Sequence, residues 1–558
     1  MKVFQPKIIT ALRGYTKDQV IKDIVAGIIV AIIALPLSIA LAIASGVGPE
    51  QGLYTAIVAG FIIAALGGSR VNISGPTAAF ATIVAGIVAT YQLSGLVLAT
   101  IMAGILLILM GLFRFGALIK YIPYTITTGF TAGIAVTIAI GQVKDFLGLS
   151  YPAGAANVET IDKAANIGKN ISTFNYQALL VGLLALAIQI VWPKINKKIP
   201  GSLIAVIVGV CIVKFAKLEV NTIGDLYSIS RSLPKFTAPK VSFSLIRELL
   251  PSAFTIAILA AIESLLSCVV SDGMIGSHHN SNTELIAQGT GNIASALFGG
   301  IPATGAIART AANVKNGGRS PISGMVHAVV LLLILVALMP YAALIPMPVI
   351  AAILFMVAYN MSEWRHFRDI CKTAPKSDIL VLFATFTLTV VFDLVVAIEV
   401  GMVLAAFLFL KRMTDVTEIR TWTYIAEDEQ QSDELHGMKP VPKGVSVYEI
   451  NGPMFFAVAD KFASIPLHEK DKVVILRMRN VPAMDTTGLR NLTNLCNAFL
   501  EADITVLLSH VNEQPMSVMK KAGFIEMLGE ENFLPNIDAA LEKATALVTP
   551  SAERKMRL

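Results

Sequence analysis

From Ile24 to Leu410 the chain is a series of long apolar runs separated by short polar ones. Ile24–Ala44, Leu98–Leu112, Leu179–Val191, Leu203–Val213 and Ile379–Val391 are continuous rather than alternating, so each predicts a helix that is apolar on all sides. Runs that approach the roughly 20 residues needed to cross a bilayer, repeated along the chain, predict a polytopic bundle rather than one anchor. The pattern changes after Arg412. An acidic stretch (Glu427, Asp428, Glu429, Asp433, Glu434) is followed from about Gly444 by the mixed pattern of a soluble domain. There Val445–Ile450, Val473–Met478 and Ile504–Leu508 read as short buried strands, and Leu489–Ala502, Pro515–Ala522 and Ile537–Ala546 as helices, which together predict a small α/β sandwich. The expected organisation is an N-terminal segment (1–22), a membrane region (23–413), a linker (414–443), the α/β domain (444–550) and a short tail (551–558).

Composition agrees: 55% of the 558 residues are hydrophobic and 15% charged, against about 25% charged in soluble domains. The net charge of +6 raises the possibility of a nucleic-acid partner. Its Lys and Arg residues, however, lie before the first apolar run and in short loops: Arg114/Lys120, Lys194/Lys197/Lys198, Lys315/Arg319, Arg365/Arg368/Lys372/Lys376 and Lys411/Arg412. In such loops they orient spans, and no nucleic acid is expected. With those loops cytoplasmic, both ends of the membrane region lie inside, the number of spans is even, and fourteen fits if two are broken and two are short. The connections 142–176 and 215–244 then fall outside. No small-residue cleavage site follows the first apolar run, so the first helix is expected to stay. Cys211, Cys268, Cys371 and Cys496 are too scattered for a disulfide framework or a metal site, and no cofactor is expected.

Ile33–Ala79 and Ala261–Arg309 repeat one another in outline. Each begins in an apolar helix with one odd residue (Pro36, Glu263), passes through a second span and reaches Gly-Gly (67–68, 299–300). Short extended-looking runs follow, with breakers Gly75/Pro76 and Pro302/Gly305 before another apolar helix. Gly/Pro-interrupted segments at matching places in two halves mark inverted-repeat transporters, whose half-helix N-termini meet near the bilayer midplane. Free N–H groups and the positive helix end, at Thr77/Ala78 and at Ala306/Ile307/Ala308, suit an anion. The plainer reading makes these breakers kinks in packed helices, and Pro36 itself reads as one.

Glu263 sits deep in an apolar run, and with Ser267 and Ser271 it forms a polar stripe on one helix face. A carboxylate there costs on the order of 3 kcal/mol, so it faces a cavity or a partner; it is either a coupling or substrate-site group or a structural acceptor. Arg309, in the first turns of the second broken helix, adds a fixed charge beside the dipole or else snorkels to the helix end. His278/His279 and His327 lack the companion carboxylates or thiols of a metal site and read as loop or packing residues. No nucleophile–base pair lies at depth, which argues against an enzyme.

Ala-Leu-Pro-Leu-Ser-Ile-Ala-Leu-Ala from Ala34, Gly-Leu-Tyr-Thr-Ala from Gly52, Ser-Gly-Pro-Thr-Ala-Ala-Phe from Ser74, Gly-Gly-Ile-Pro-Ala-Thr-Gly-Ala-Ile-Ala-Arg from Gly299 and Ser-Pro-Ile-Ser-Gly from Ser320 together resemble the SulP sulfate-permease family of anion transporters. The resemblance extends from about Asp23 to the end. It implies a membrane protein of seven plus seven inverted spans (repeats about 23–218 and 245–413), divided into core and gate domains, followed by a cytoplasmic STAS domain. It also implies a substrate pocket at Leu37, Leu41, Thr77, Ala78, Glu263, Ser267, Ala306, Ile307, Ala308 and Arg309, alternating access by core against gate, and a homodimer. The family's sodium–bicarbonate members have Asp in place of Glu263 and Thr in place of Ile307, so the resemblance favours Glu263 as the carrier of a coupled proton over a sodium site. Members that carry C4-dicarboxylates share the Ile-Glu-Ser-Leu-Leu and Ala-Ile-Ala-Arg patterns most closely. The expected activity is therefore proton-coupled uptake of C4-dicarboxylates across a bacterial inner membrane, with both termini cytoplasmic. Sulfate or bicarbonate transport, uncoupled exchange and a channel remain alternatives. The tail sequence Met-Asp-Thr-Thr-Gly-Leu resembles the STAS turn; Asp485 or Thr486 is expected to cap a helix, Thr486 or Thr487 is a candidate modification site, and the domain as a whole is a candidate for binding a cytoplasmic protein partner.

Overall fold

The computed structural model describes residues 4–117, 123–152, 159–196, 199–227, 232–239, 241–392, 394–422, 441–456, 465 and 470–549. Two compact units divide the chain, Met1–Val403 and Leu404–Leu558. Lys120, Lys197, Lys198 and the acidic residues 427–434 lie outside the described residues.

The first unit is helical. Its main helices are α1 (Lys17–Ala44), α2 (Pro49–Leu66), α3 (Ala81–Leu112, entered through the tight turn Ala78–Phe80), α4 (Tyr124–Leu147), α5 (Tyr176–Ile195), α6 (Gly201–Ala216), α7 (Phe243–Ile275), α8 (Ser281–Leu297), α9 (Ile307–Lys315), α10 (Ile322–Ala342), α11 (Met347–Ser362) and α12 (Lys376–Val391), with short helices at Lys7–Ala11, Thr160–Lys169, Ile223–Leu226 and Trp364–Thr373; α13 (Leu394–Val416) begins in this unit and ends in the second. Among the described residues eight helices are long and apolar enough to cross a membrane, and α6 is a shorter apolar helix. Large apolar side chains such as Leu180, Phe215 and Leu333 stay exposed on the outside of the bundle, as expected where the solvent is lipid. The apolar run Leu98–Leu112 is the second part of α3, which changes direction at Gln92 (φ 59°, ψ −170°).

The sequence repeat has a structural counterpart. After Gly67–Gly68 the chain forms strand β1 (Ser74–Gly75), and after Gly299–Gly300 it forms β2 (Thr304–Gly305). The two pair antiparallel, Ser74 with Gly305 and Gly75 with Thr304. Corresponding segments of the two halves thus run in opposite directions and cross-link through the backbone.

The second unit contains a five-stranded sheet in the order β3-β4-β5-β6-β7: β3 (Glu418–Trp422), β4 (Val445–Asn451), β5 (Val473–Asn480), β6 (Thr505–Ser509) and β7 (Phe533–Leu534). Strand β3 is antiparallel to β4, and the other pairings are parallel. The expected linker therefore begins later than residue 414: α13 runs to Val416, and residues 418–422 add an edge strand. Helices α14 (Thr486–Glu501), α15 (Glu513–Lys521) and α16 (Ile537–Val548) complete the unit. Alternate residues of the strands point to opposite faces. Val474, Leu476, Val506 and Leu508 pack with Leu492 and Phe499 on one side, while Val447, Ile475 and Leu507 meet Ala540 and Ala544 on the other. Asp485 caps α14, accepting from the Gly488 N–H at 2.7 Å and the Phe456 N–H at 3.0 Å, which leaves Thr486 and Thr487 exposed on its first turn.

Candidate anion-binding site

The β1–β2 pair aims two helix starts at one place. Thr77, the residue before the Ala78–Phe80 turn, and Ala306, the residue before α9, are both extended, and Ala306 N–H donates to the Ile73 carbonyl at 2.8 Å. Helical geometry leaves the first N–H groups of each segment without intrahelical acceptors, so two positive helix ends face the junction.

A network of buried side chains fixes this geometry. Glu284, on α8, accepts from the N–H groups of Gly68 (2.8 Å) and Ser69 (3.2 Å) and from the amides of Asn72 (2.8 Å) and Gln288 (3.0 Å). The Asn72 carbonyl oxygen in turn accepts from Ser267 (2.8 Å) and Thr310 (3.1 Å). Ser264 accepts from the Gly305 N–H at 3.0 Å, and Asn313 donates to the Val71 carbonyl at 2.9 Å. Helices α7, α8 and α9 are thereby tied to the loop before β1. Every member is buried, so a broken link would leave an unpaired polar group and cost about 1–3 kcal/mol.

Above this scaffold Thr77 donates its hydroxyl to Oε2 of Glu263 at 3.0 Å. Arg309 is 2% exposed, and its Nη2 donates to the Pro76 carbonyl. Its Nε and Nη1 have no hydrogen-bond partner in the structure. Glu263 and Arg309 lie within electrostatic range of each other. The guanidinium lies against Gly75: a Cβ there would come within 2.6 Å of Arg309 Nη1 and would displace the side chain. A guanidinium has donors only, so Nε and Nη1 of Arg309 can still donate to an acceptor at this junction, be it water or an anion.

Of the residues expected at the pocket, Thr77, Ala78, Glu263, Ala306, Ile307, Ala308 and Arg309 are brought to this junction by the strand pair and α7. Ile307 and Ala308 are exposed, and Ala306, Thr77 and Glu263 are partly so. Ser267 is fully buried with its hydroxyl committed to Asn72. Leu37 and Leu41 lie on α1, which packs against α9; Leu41 is buried and Leu37 half-buried. Pro36 lines a separate apolar cavity of about 350 Å³ together with Leu53, Leu203 and Met339. The sequence reading assigned no role to Asn72, Glu284, Gln288, Thr310 or Asn313. A signal was present for part of this set, since Glu284, Gln288 and Asn292 recur every four residues in an otherwise small and apolar helix. His279 pairs with Asp272 at 2.7 Å and Ser281 at 3.0 Å. His327 is buried on α10, and among the described residues no group of three or more His, Cys, Asp or Glu could hold a metal.

The sulfate permease family profile matches residues 20–385, about two thirds of the chain, and a STAS domain profile matches residues 438–544. The chain belongs to the sulfate permease family. This permease is 40% identical over 531 residues to YvdB of Bacillus subtilis (strain 168), provisionally named a sulfate transporter, covering 94% of this chain and 98% of that one. It is 30% identical over 545 residues to the bicarbonate transporter BicA of Picosynechococcus sp. (strain ATCC 27264 / PCC 7002 / PR-6), covering 95% of each. Its fold matches murine Solute Carrier 26 family member A9, an anion transporter solved in the inward-facing state, with a TM-score of 0.86 at 19% identity, covering 97% of this chain and 94% of that one. The permease is accordingly a multi-pass membrane anion transporter with a C-terminal STAS domain, and its relatives are transporters, not enzymes.

Proposed function

We propose that the permease is a secondary active importer that binds a small anion between the two broken helices and moves it together with a proton held by Glu263. The observation that carries this reading is the buried Arg309, whose Nε and Nη1 lack acceptors beside two helix N-termini and one carboxylate. In the substrate class, C4-dicarboxylates come first, from the Ile-Glu-Ser-Leu-Leu and Ala-Ile-Ala-Arg patterns; sulfate and bicarbonate come second, from the names of YvdB and BicA. Ile307 offers no oxygen ligand at the start of α9, which supports proton over sodium coupling.

Movement of core against gate within a homodimer, with both termini cytoplasmic in a bacterial inner membrane, completes the proposal. With α3 divided at Gln92, α9 counted as a broken span, and the short or polar helices Lys7–Ala11, Thr160–Lys169, Ile223–Leu226 and Trp364–Thr373 left out, seven segments precede Lys217 and seven follow Ser242, a number compatible with fourteen spans. The α/β domain would then offer a partner its exposed Thr486 and Thr487. The test is uptake by the purified permease in liposomes, with labelled succinate, sulfate and bicarbonate under imposed proton or sodium gradients. Accumulation driven by protons supports the reading, and accumulation driven only by sodium, or none beyond equilibration, overturns the coupling.

A further inference from the structure

Between α11 and α12 the chain does not return directly to the bilayer. Glu363 takes a left-handed conformation (φ 41°) and accepts from His366 N–H at 2.7 Å, which turns the chain sharply into the ten-residue helix Trp364–Thr373. Phe367 anchors it, packing edge-to-face on Phe383 and Phe386 of α12 with centroids 5.6 Å apart. The opposite face carries Arg365, Arg368 and Lys372, spaced three and four residues apart and all exposed. Both guanidinium groups stand over the Trp364 ring, at 5.6 and 5.5 Å. Asp369 approaches Arg368 at 3.5 Å and Glu363 lies at the helix start, so the three cations are incompletely compensated. A basic amphipathic helix between two membrane helices lies at the headgroup level.

The indole N–H of Trp364 donates to the Tyr359 hydroxyl at 3.3 Å, and Tyr359 lines a cavity of about 900 Å³ among α4, α5, α6 and α11. Phe146, Leu183, Leu186, Ile190, Phe355 and Met356 make the apolar half of its wall, with Gln189, Ser202 and Asn360 among the rest. The apolar side chains offer contact to an acyl chain, and the polar groups stand with Tyr359 near the basic helix, where a headgroup would lie. We propose that this is a binding site for one anionic phospholipid, with its phosphate on Arg365, Arg368 and Lys372 and an acyl chain in the cavity beside Tyr359.

The test uses the full chain carrying Trp192→Phe and Trp422→Phe, so that Trp364 is the sole indole. It is reconstituted in phosphatidylcholine vesicles with a minor fraction of chain-brominated phosphatidylglycerol or, separately, chain-brominated phosphatidylcholine. Quenching of Trp364 at equal mole fraction should be about fivefold or more stronger with phosphatidylglycerol, the size of effect one basic residue has at an anionic surface. Arg365→Gln, Arg368→Gln and Lys372→Gln together should equalise the two lipids, and Leu183→Phe, which fills the cavity, should reduce the quenching. Equal quenching with the native charges overturns the site without reference to any variant. A preference that persists in the triple variant overturns the headgroup assignment, and quenching unchanged by Leu183→Phe removes the chain from the cavity. Loss of the preference on adding millimolar inorganic phosphate would make it a free-anion site instead.

Discussion

The Thr77 hydroxyl donates to Glu263 Oε2 across 3.0 Å, joining the first broken helix to the middle of α7. One partner belongs to the first half of the repeat and the other to the second, so the bond spans the junction where the anion is proposed to sit.

Thr77→Val removes this donor, and a hydrogen bond to a charged group contributes about 1.5–3 kcal/mol. We expect the initial rate of uptake to fall by about tenfold or more in a permease that still inserts and purifies, and Thr77→Ser to restore most of it. Rates measured in liposomes decide the matter. A serine variant as slow as the valine variant would assign the loss to packing rather than to the hydroxyl.

Arg309→Ala deletes the guanidinium whose Nε and Nη1 lack partners, so anion affinity should weaken by about ten- to a hundredfold. Gly75→Ala should act in the same direction without touching the charge, because the added methyl would press on Nη1 at 2.6 Å. Titration of the purified variants with candidate anions checks both. Wild-type affinity in Arg309→Ala would remove that side chain from the site.

Apolar runs and the Gly/Pro breakers made much of this architecture legible in sequence, because backbone that departs from helix at depth has to be marked by residues that permit it. Gly75 and Gly305 show why: one lies against Arg309 and the other against Asn72, and neither has room for a side chain. What stayed hidden was the support. Asn72, Thr310 and Asn313 look like ordinary polar residues near breakers, and only tertiary packing brings them onto Glu284, Ser267 and Val71. Strand β3 was equally hidden, since its five residues Glu-Ile-Arg-Thr-Trp hold two large apolar ones, Ile419 and Trp422, three positions apart, and so show neither an apolar run nor a period of two.

In the STAS domain, Asp485 accepts from two backbone N–H groups, at the start of α14 and at Phe456. Asp485→Ala should destabilise this unit by about 1–2 kcal/mol, in the range for losing a helix cap. Denaturant unfolding followed by circular dichroism measures it. Asp485→Asn, which keeps an acceptor oxygen, should recover part of the loss, and no difference between the alanine variant and wild type would mean the cap adds nothing to stability.

Glu263→Gln separates the proposed coupling from the binding itself. The substitution keeps the side chain's size and the acceptor for Thr77, while removing both the charge and the ability to exchange a proton. If Glu263 carries the coupled proton, its protonated form is the one that crosses with the anion, because neutralisation removes the cost of a carboxylate at depth. The glutamine variant is held in the equivalent of that form. It should therefore bind anion and exchange it across the membrane at a rate within a few-fold of wild type, yet fail to accumulate it when a proton gradient is imposed. A carboxylate that serves only the scaffold predicts a different result, in which binding, exchange and accumulation decline together as the junction loosens. Counterflow and gradient-driven uptake, measured on the same liposomes, tell the two apart, and undiminished proton-driven accumulation by Glu263→Gln would exclude the carboxylate as the proton carrier.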